Sequence, residues 1–385
     1  MKTSLFSPAV KALGLGLGLG AAVLLAGCSF FSSKADAPKP LALPANPQQV
    51  SVQLAWQAAA GAQNATTGMS VQQGQVLVSS SDGSVTVLNS QGQVAQRVTF
   101  GAPLSTAAGF DGQRLAAVTN GDELLVFAQG KEMWRQRLPA QSYTAPVVAG
   151  GRVFALLADR SVMAFDGDNG ARLWHLKRSG GQQQDPLILR EAGVFLPMGD
   201  TLVVGVGPRL QGIDPDRGEL VWDKAVATPR GTNDVERLAD LVVPAFRSDA
   251  GVVCARAYQA GVACVNTKTQ ELLWRQASLG SVGVAGDATR VFGTQSDGRV
   301  QAWGSRGESL WVNEQLLFRR LTAPAVWGGR VVLGDAEGTL YVLNAQTGAL
   351  MDYQKVGGAG VKAVATVGDT LLVLTHAGEV LAYRS

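Results

Sequence analysis

The sequence predicts an all-β chain folded as an eight-bladed β-propeller of four-stranded antiparallel blades, its ring closed by the N-terminal strand. Three observations carry this. A motif of the form A-x-D-x-x-x-G-x-x-x-W returns about every 40 residues, strand-like runs fill the intervals, and the last repeat lacks one strand while a lone strand precedes the first. A period near 40 in an all-strand sequence marks one blade used repeatedly.

The motif runs from Ala164 through Asp166 and Gly170 to Trp174, and from Gly212 through Asp214 and Gly218 to Trp222. A looser copy runs from Cys264 through Asn266 and Gln270 to Trp274. On the glycine slot, Gly92 leads to Gln96, Gly130 to Trp134, Gly307 to Trp311 and Gly348 to Asp352, while Trp56 stands 40 residues before Gln96 as an eighth slot. Tryptophans 56, 134, 174, 222, 274 and 311, spaced regularly round a ring, do not converge on one ligand. Each is expected to lie against the neighbouring blade, burying on the order of 200 Å².

Asp82-Gly83, Asn120-Gly121, Asp297-Gly298 and Glu337-Gly338 precede the glycine slot by nine or ten residues and suit the positive-φ positions of type I′ hairpin turns. Runs beginning at Gln75, Val85, Arg152, Arg330 and Thr370 are rich in β-branched and apolar residues, as strands require. No helical spacing competes with them. The last unit, 364–383, stops before its outermost strand; 50–56 supplies it and removes the free edge of an open array.

Residues 1–27 read as an export signal. Lys2 and Lys11 precede an apolar run from 12 to 26 that is short for a membrane span. Leu25-Ala26-Gly27-Cys28 resembles a bacterial lipobox, with Cys28 as the lipidated N-terminus, the alternative being an ordinary signal with a chance cysteine. Ser29 in the following position resembles outer-membrane sorting. Residues 28–49, with Pro38, Pro40, Pro44 and Pro47, read as a flexible tether reaching about 50–70 Å when extended, and 50–385 as the propeller.

Loss of the two lysines takes the formal charge from +3 to about +1, too weak a field for nucleic acid. No cofactor, metal or catalytic centre is expected. His175 and His376 have no metal-ligand spacing and no nucleophile partner. Asp166-Gly167-Asp168-Asn169-Gly170 begins like a calcium loop, but Lys177 stands at the twelfth position where an EF-hand needs glutamate. Cys254 and Cys264 flank a turn in a chain expected where disulfides persist. A two-residue hairpin puts them on opposite faces; a bulge or a three-residue turn brings them together.

The period breaks twice. Trp174 to Trp222 is 48 residues and Trp222 to Trp274 is 52, against 37 to 41 elsewhere. The insertions, 177–199 and 224–243, carry Asp185-Pro186-Leu187-Ile188-Leu189-Arg190 and Asp234-Val235-Glu236-Arg237-Leu238-Ala239-Asp240. Loops on a rigid scaffold are where binding is usually placed, and leucines beside an arginine suit a protein–protein contact. Mobile surface loops are the alternative.

Lipobox, tether, eight blades and these two insertions together resemble the BamB family, lipoprotein subunits of the bacterial β-barrel assembly machinery. The likeness covers the mature chain and is most specific at 186–190 and 234–240, with Tyr258-Gln259-Ala260-Gly261 and 316–324 adding to it. It implies a non-catalytic scaffold on the periplasmic face of the outer membrane that binds the POTRA domains of BamA. Leu187, Leu189 and Arg190 would supply one part of the contact, and Asp240 the first of two acids. Val242 stands where the second is expected, so Glu236 or Asp234 would serve instead. Unfolded outer-membrane proteins are a further implied partner, reached by adding a strand to a blade edge. The blade motif is shared with quinoprotein dehydrogenases, which use pyrroloquinoline quinone. Those enzymes resemble this chain less, since they carry an adjacent cysteine pair and Cys254 and Cys264 are not adjacent. An eight-bladed lipoprotein for another envelope partner is the third reading.

Overall fold

The computed structural model describes residues 38–177 and 187–385; the signal segment, Cys28, Ser29 and Pro186 lie outside them. Within the described residues, 32 strands pair into eight four-stranded antiparallel sheets. Blades 1 to 7 span 69–99, 109–137, 147–176, 195–225, 241–277, 284–313 and 325–355. Blade 8 consists of Val361–Val367, Thr370–Thr375 and Glu379–Arg384, completed by Gln53–Ala59 pairing antiparallel with Glu379–Arg384. The N-terminal strand therefore closes the ring.

The two middle strands of each blade are buried on both faces, which is why they read as continuous apolar runs; Thr370–Thr375 is buried throughout. The apolar clusters lie between blades. Leu77, Val85 and Val98 of blade 1 meet Phe110, Leu115 and Leu125 of blade 2, and Val76 and Val78 of blade 1 meet Leu372, Leu374 and Val380 of blade 8. Each such side chain contributes about 1.5–3 kcal/mol on burial, so the ring holds only when every blade has two neighbours.

The motif encodes this interface. Its first residue sits opposite the tryptophan at a β-bulge, Ala164 against Trp174 and Gly212 against Trp222, and is small because the indole lies there. The Asp166 carboxylate accepts the N–H groups of Asp168 and Asn169, and Asp214 does the same for Asp216 and Arg217. Asp at this slot builds the turn. The glycine receives the preceding blade's tryptophan: a Cβ on Gly170 would lie 2.6 Å from Trp134, and one on Gly218 would lie 2.6 Å from Trp174. Both glycines have positive φ. The indole N–H then donates into the same turn, Trp134 to Gly167 O at 2.9 Å and Trp174 to Pro215 O at 3.0 Å. Trp56 and Trp311 repeat this on Ser90 and Ala345, and Trp274 lies over Gly307. Trp222 departs. Its slot in blade 5 is Gln270, and the ring instead covers Gly212 of its own blade, with no acceptor for its N–H among the described residues.

Two expectations are corrected. The Asp-Gly hairpins are not type I′. Gly83 N–H donates to Ser80 O and Ser80 N–H to Ser84 O, and Gly83 has φ +89 while Asp82 is not left-handed. This is a type I turn ended by a left-handed residue, which also fits the strand twist. In blade 2 that position falls on Asp122, not Gly121. The flexible tether does not extend to residue 49. Pro40–Ser385 is one compact unit; Leu41 N–H donates to Leu317 O and Gln49 N–H to Met351 O, and Asn46 Nδ2 donates to Tyr353 O at 2.8 Å. Leu43 packs on the core between blades 6 and 7, so burial and backbone pairing order the segment.

Interblade connections and the middle hairpin turns share one face of the ring. Ser296 N–H, in the turn of blade 6, donates to Leu279 O in the connection entering that blade, and Phe318 N–H in the next connection donates to Asp297 O.

Candidate functional site

The two insertions are the connections from blade 3 to 4 (177–194, described from 187) and from blade 4 to 5 (226–240). They lie side by side on that face. The second is a structured loop without a helix. Glu236 Oε2 accepts Thr232 N–H at 2.7 Å and its hydroxyl at 3.1 Å, and Asn233 Oδ1 accepts Glu236 N–H. These bonds from Thr232 hold the exposed Glu236 carboxyl below its ordinary range. At its base Val226 and Ala239 are buried in the core between blades 4 and 5.

The first connection is fixed at its end by Gly193, which donates to Thr144 Oγ1 at 2.9 Å and bridges to Val242. Further out, Leu189 N–H donates to Asp240 Oδ2 at 2.8 Å. The other oxygen of Asp240 pairs with Arg160 Nη2 at 3.0 Å, both side chains being 17% exposed. Asp240 thus joins the two connections and ties them to blade 3.

Leu187 is 47% exposed and Val235 71%; Arg190 and Glu191 also face solvent. Ile188 and Leu189 are half-buried and line a cleft of about 60 Å³ with Tyr143, Arg160 and Asp240. The surface is an outer layer of apolar side chains and charges of both signs over a bonded base. Val242, where a second acid was expected, is 3% exposed and belongs to the strand pairing, with Arg256 opposite.

Of the residues singled out in the sequence, the structure brings Leu187, Leu189, Arg190 and Asp240 together. Glu236 lies in the neighbouring loop, bonded within it. Arg160, Thr144 and Gly207 were missed. Arg160 occupies the left-handed position of its hairpin, φ +66, where blades 1, 6 and 7 have glycine, and that departure was the available signal. A Cβ on Gly207 would lie 3.1 Å from Arg160 Nη1, so glycine leaves room for the guanidinium.

The profile of the family described as outer membrane protein assembly factor BamB matches residues 81–313. The chain belongs to the BamB family. It is 32% identical over 368 residues to the BamB of Bordetella pertussis, covering 94% of each chain. The crystal structure of BamB from Moraxella catarrhalis superposes with a TM-score of 0.76 at 20% identity, over 87% of this chain and 100% of that one. A quinohemoprotein alcohol dehydrogenase from Comamonas testosteroni superposes at 0.65 with 13% identity, over 88% of this chain and 77% of that one. The last two likenesses are of fold.

In this BamB-family chain Cys254 and Cys264 are bonded as a disulfide. They face each other because the hairpin runs from Ala257 to Gly261 with three residues between; Gln259, at φ +51, makes that turn. His175 lies in blade 3 and His376 in blade 8, so the two histidines share no site.

Proposed function

We propose that this chain is a non-catalytic scaffold lipoprotein, held through Cys28 on the periplasmic face of the outer membrane. In this reading it binds the POTRA domains of BamA through the surface formed by 187–194 and 226–240, supporting assembly of outer-membrane β-barrels. Its main support is that Asp240 joins the two interblade connections at which the sequence period breaks, with Leu187 and Arg190 left facing outward. An exposed leucine and arginine over a rigid base match the usual makeup of a contact surface, where a few anchors carry most of the affinity. The propeller supplies rigidity: both links leave and re-enter strands held by cores on either side.

The test is a calorimetric titration of residues 38–385 with the POTRA domains of the same organism's BamA. Saturable binding is expected, with Arg190→Ala and Leu187→Ala each weakening it about tenfold or more at unchanged unfolding temperature. Unaltered binding by the folded double variant would refute this assignment of the face.

A further inference from the structure

Asp240 sits on the candidate face, yet its geometry does not suit a group that reaches a partner. Both oxygens are engaged: Oδ2 accepts Leu189 N–H at 2.8 Å and Oδ1 accepts Arg160 Nη2 at 3.0 Å. The side chain is 17% exposed, beneath the loop that carries Leu187 and Arg190. Its backbone is occupied too, the carbonyl accepting Tyr258 N–H at 3.0 Å. Each oxygen of this carboxylate accepts one hydrogen bond from the protein, and the guanidinium balances its charge.

We propose that Asp240 and Arg160 are positioning residues, a clamp that sets the conformation of the 187–194 loop. This rests on the functional reading above, in which that loop carries the partner-binding side chains. Within 187–192, the amide of Leu189 is hydrogen-bonded outside the loop. Leu187 lies two residues before it and Arg190 one after, so fixing that amide fixes the directions of both. The clamp draws on three blades. Arg160 comes from the hairpin turn of blade 3 in a left-handed conformation. Gly207, in the hairpin of blade 4, leaves space for the guanidinium, and its carbonyl accepts Leu241 N–H at 3.1 Å. Asp240 leads into blade 5. The loop is therefore referenced to the ring itself, which is how a surface loop gains the pre-organisation that keeps binding from being spent on ordering.

Arg160→Met separates this proposal from a direct contact. It removes the clamp's cation and leaves the Asp240 carboxylate present, without its counter-ion. If Asp240 met a basic group of the partner, binding would hold or tighten. The clamp predicts the opposite: binding to the POTRA domains weakens about tenfold, the range of one hydrogen bond to a charged group. Exchange of the Leu189 amide in the unbound protein should accelerate about tenfold. Asp240→Ala should do the same, and the double variant should be no worse than the more affected single variant, since both act through one unit. Arg160→Lys, which keeps a cation for Oδ1, should recover most of the protection and the binding. Arg190→Ala should weaken binding while leaving Leu189 exchange unchanged. Wild-type or tighter binding by folded Arg160→Met, or unchanged Leu189 exchange in Asp240→Ala, overturns the clamp. Absence of POTRA binding by the wild type would instead overturn the functional reading, and the exchange measurements would still decide the clamp.

Discussion

The glycine slot gives a sharp test of how the ring is held. In Gly218→Ala the new Cβ would lie 2.6 Å from the Trp174 indole, at a residue with φ +72. An L side chain in the left-handed region costs about 1–2 kcal/mol. Shifting the packed ring costs about 1–3 kcal/mol, and losing the Trp174–Pro215 hydrogen bond of 3.0 Å about 1 kcal/mol. Together these give roughly 3–6 kcal/mol. Blade 5 provides the control. Gln270 stands in the same slot at φ +58 without a docked tryptophan, so Gln270→Ala should be close to neutral. Gln270→Gly should stabilise by about 1 kcal/mol through release of backbone strain. Urea midpoints of the three variants, read by tryptophan fluorescence and circular dichroism, supply the comparison. A loss below 1 kcal/mol in Gly218→Ala, or an equal loss in Gln270→Ala, would refute the docking argument.

Other consequences concern buried charge and the loops. Arg256 is fully buried, its three guanidinium nitrogens have no acceptor among the described residues, and burial pushes it down to about 10; Arg256→Met should raise stability by about 1–4 kcal/mol, and a loss in thermal unfolding would contradict this. Lys362, on the inner strand of blade 8, donates to Gln63 Oε1 at 3.2 Å and to the carbonyls of Asn64 and Thr67, clipping the link between the closing strand and blade 1. Lys362→Met should cost about 1–3 kcal/mol and raise amide exchange first in 60–68; uniform loosening of all blades would count against a local clip. Glu236 is held below its ordinary range in the folded chain, so its ordering of the 232–236 turn is complete above about 4.5 and is lost as pH falls through the lowered value. Protection of the Thr232 amide, relative to its intrinsic rate, should fall across that acid window in the wild type and stay flat in Glu236→Gln.

The ring was legible because its determinants are local and repeated. Small residue, turn-capping Asp, glycine and tryptophan recur within eleven residues, from Ala164 to Trp174, and the period alone counted the blades and found the closing strand. The hairpin turns were misread because Asp-Gly names a turn without fixing its length. Where the left-handed residue falls depends on register, as Asp122 beside Gly121 shows. The segment 41–49 carries the proline content of a linker, yet its partners lie far along the chain, Asn46 bonding Tyr353 across 307 residues. The clamp was hidden for the same reason. Asp240 meets Leu189 across 51 residues and Arg160 across 80, and no local pattern encodes either meeting. The insertions themselves were visible as breaks in the period; that one carboxylate joins them was not.

The central claim, that the joined connections form the partner-binding face, is tested most directly by amide exchange of residues 38–385 alone and with saturating POTRA domains. The account predicts slowed exchange at 187–191 and 232–238, with the motif turns at 166–170 and 214–218 on the opposite face unchanged. Protection at those turns, or along the outer strands with the two connections unaffected, would contradict it.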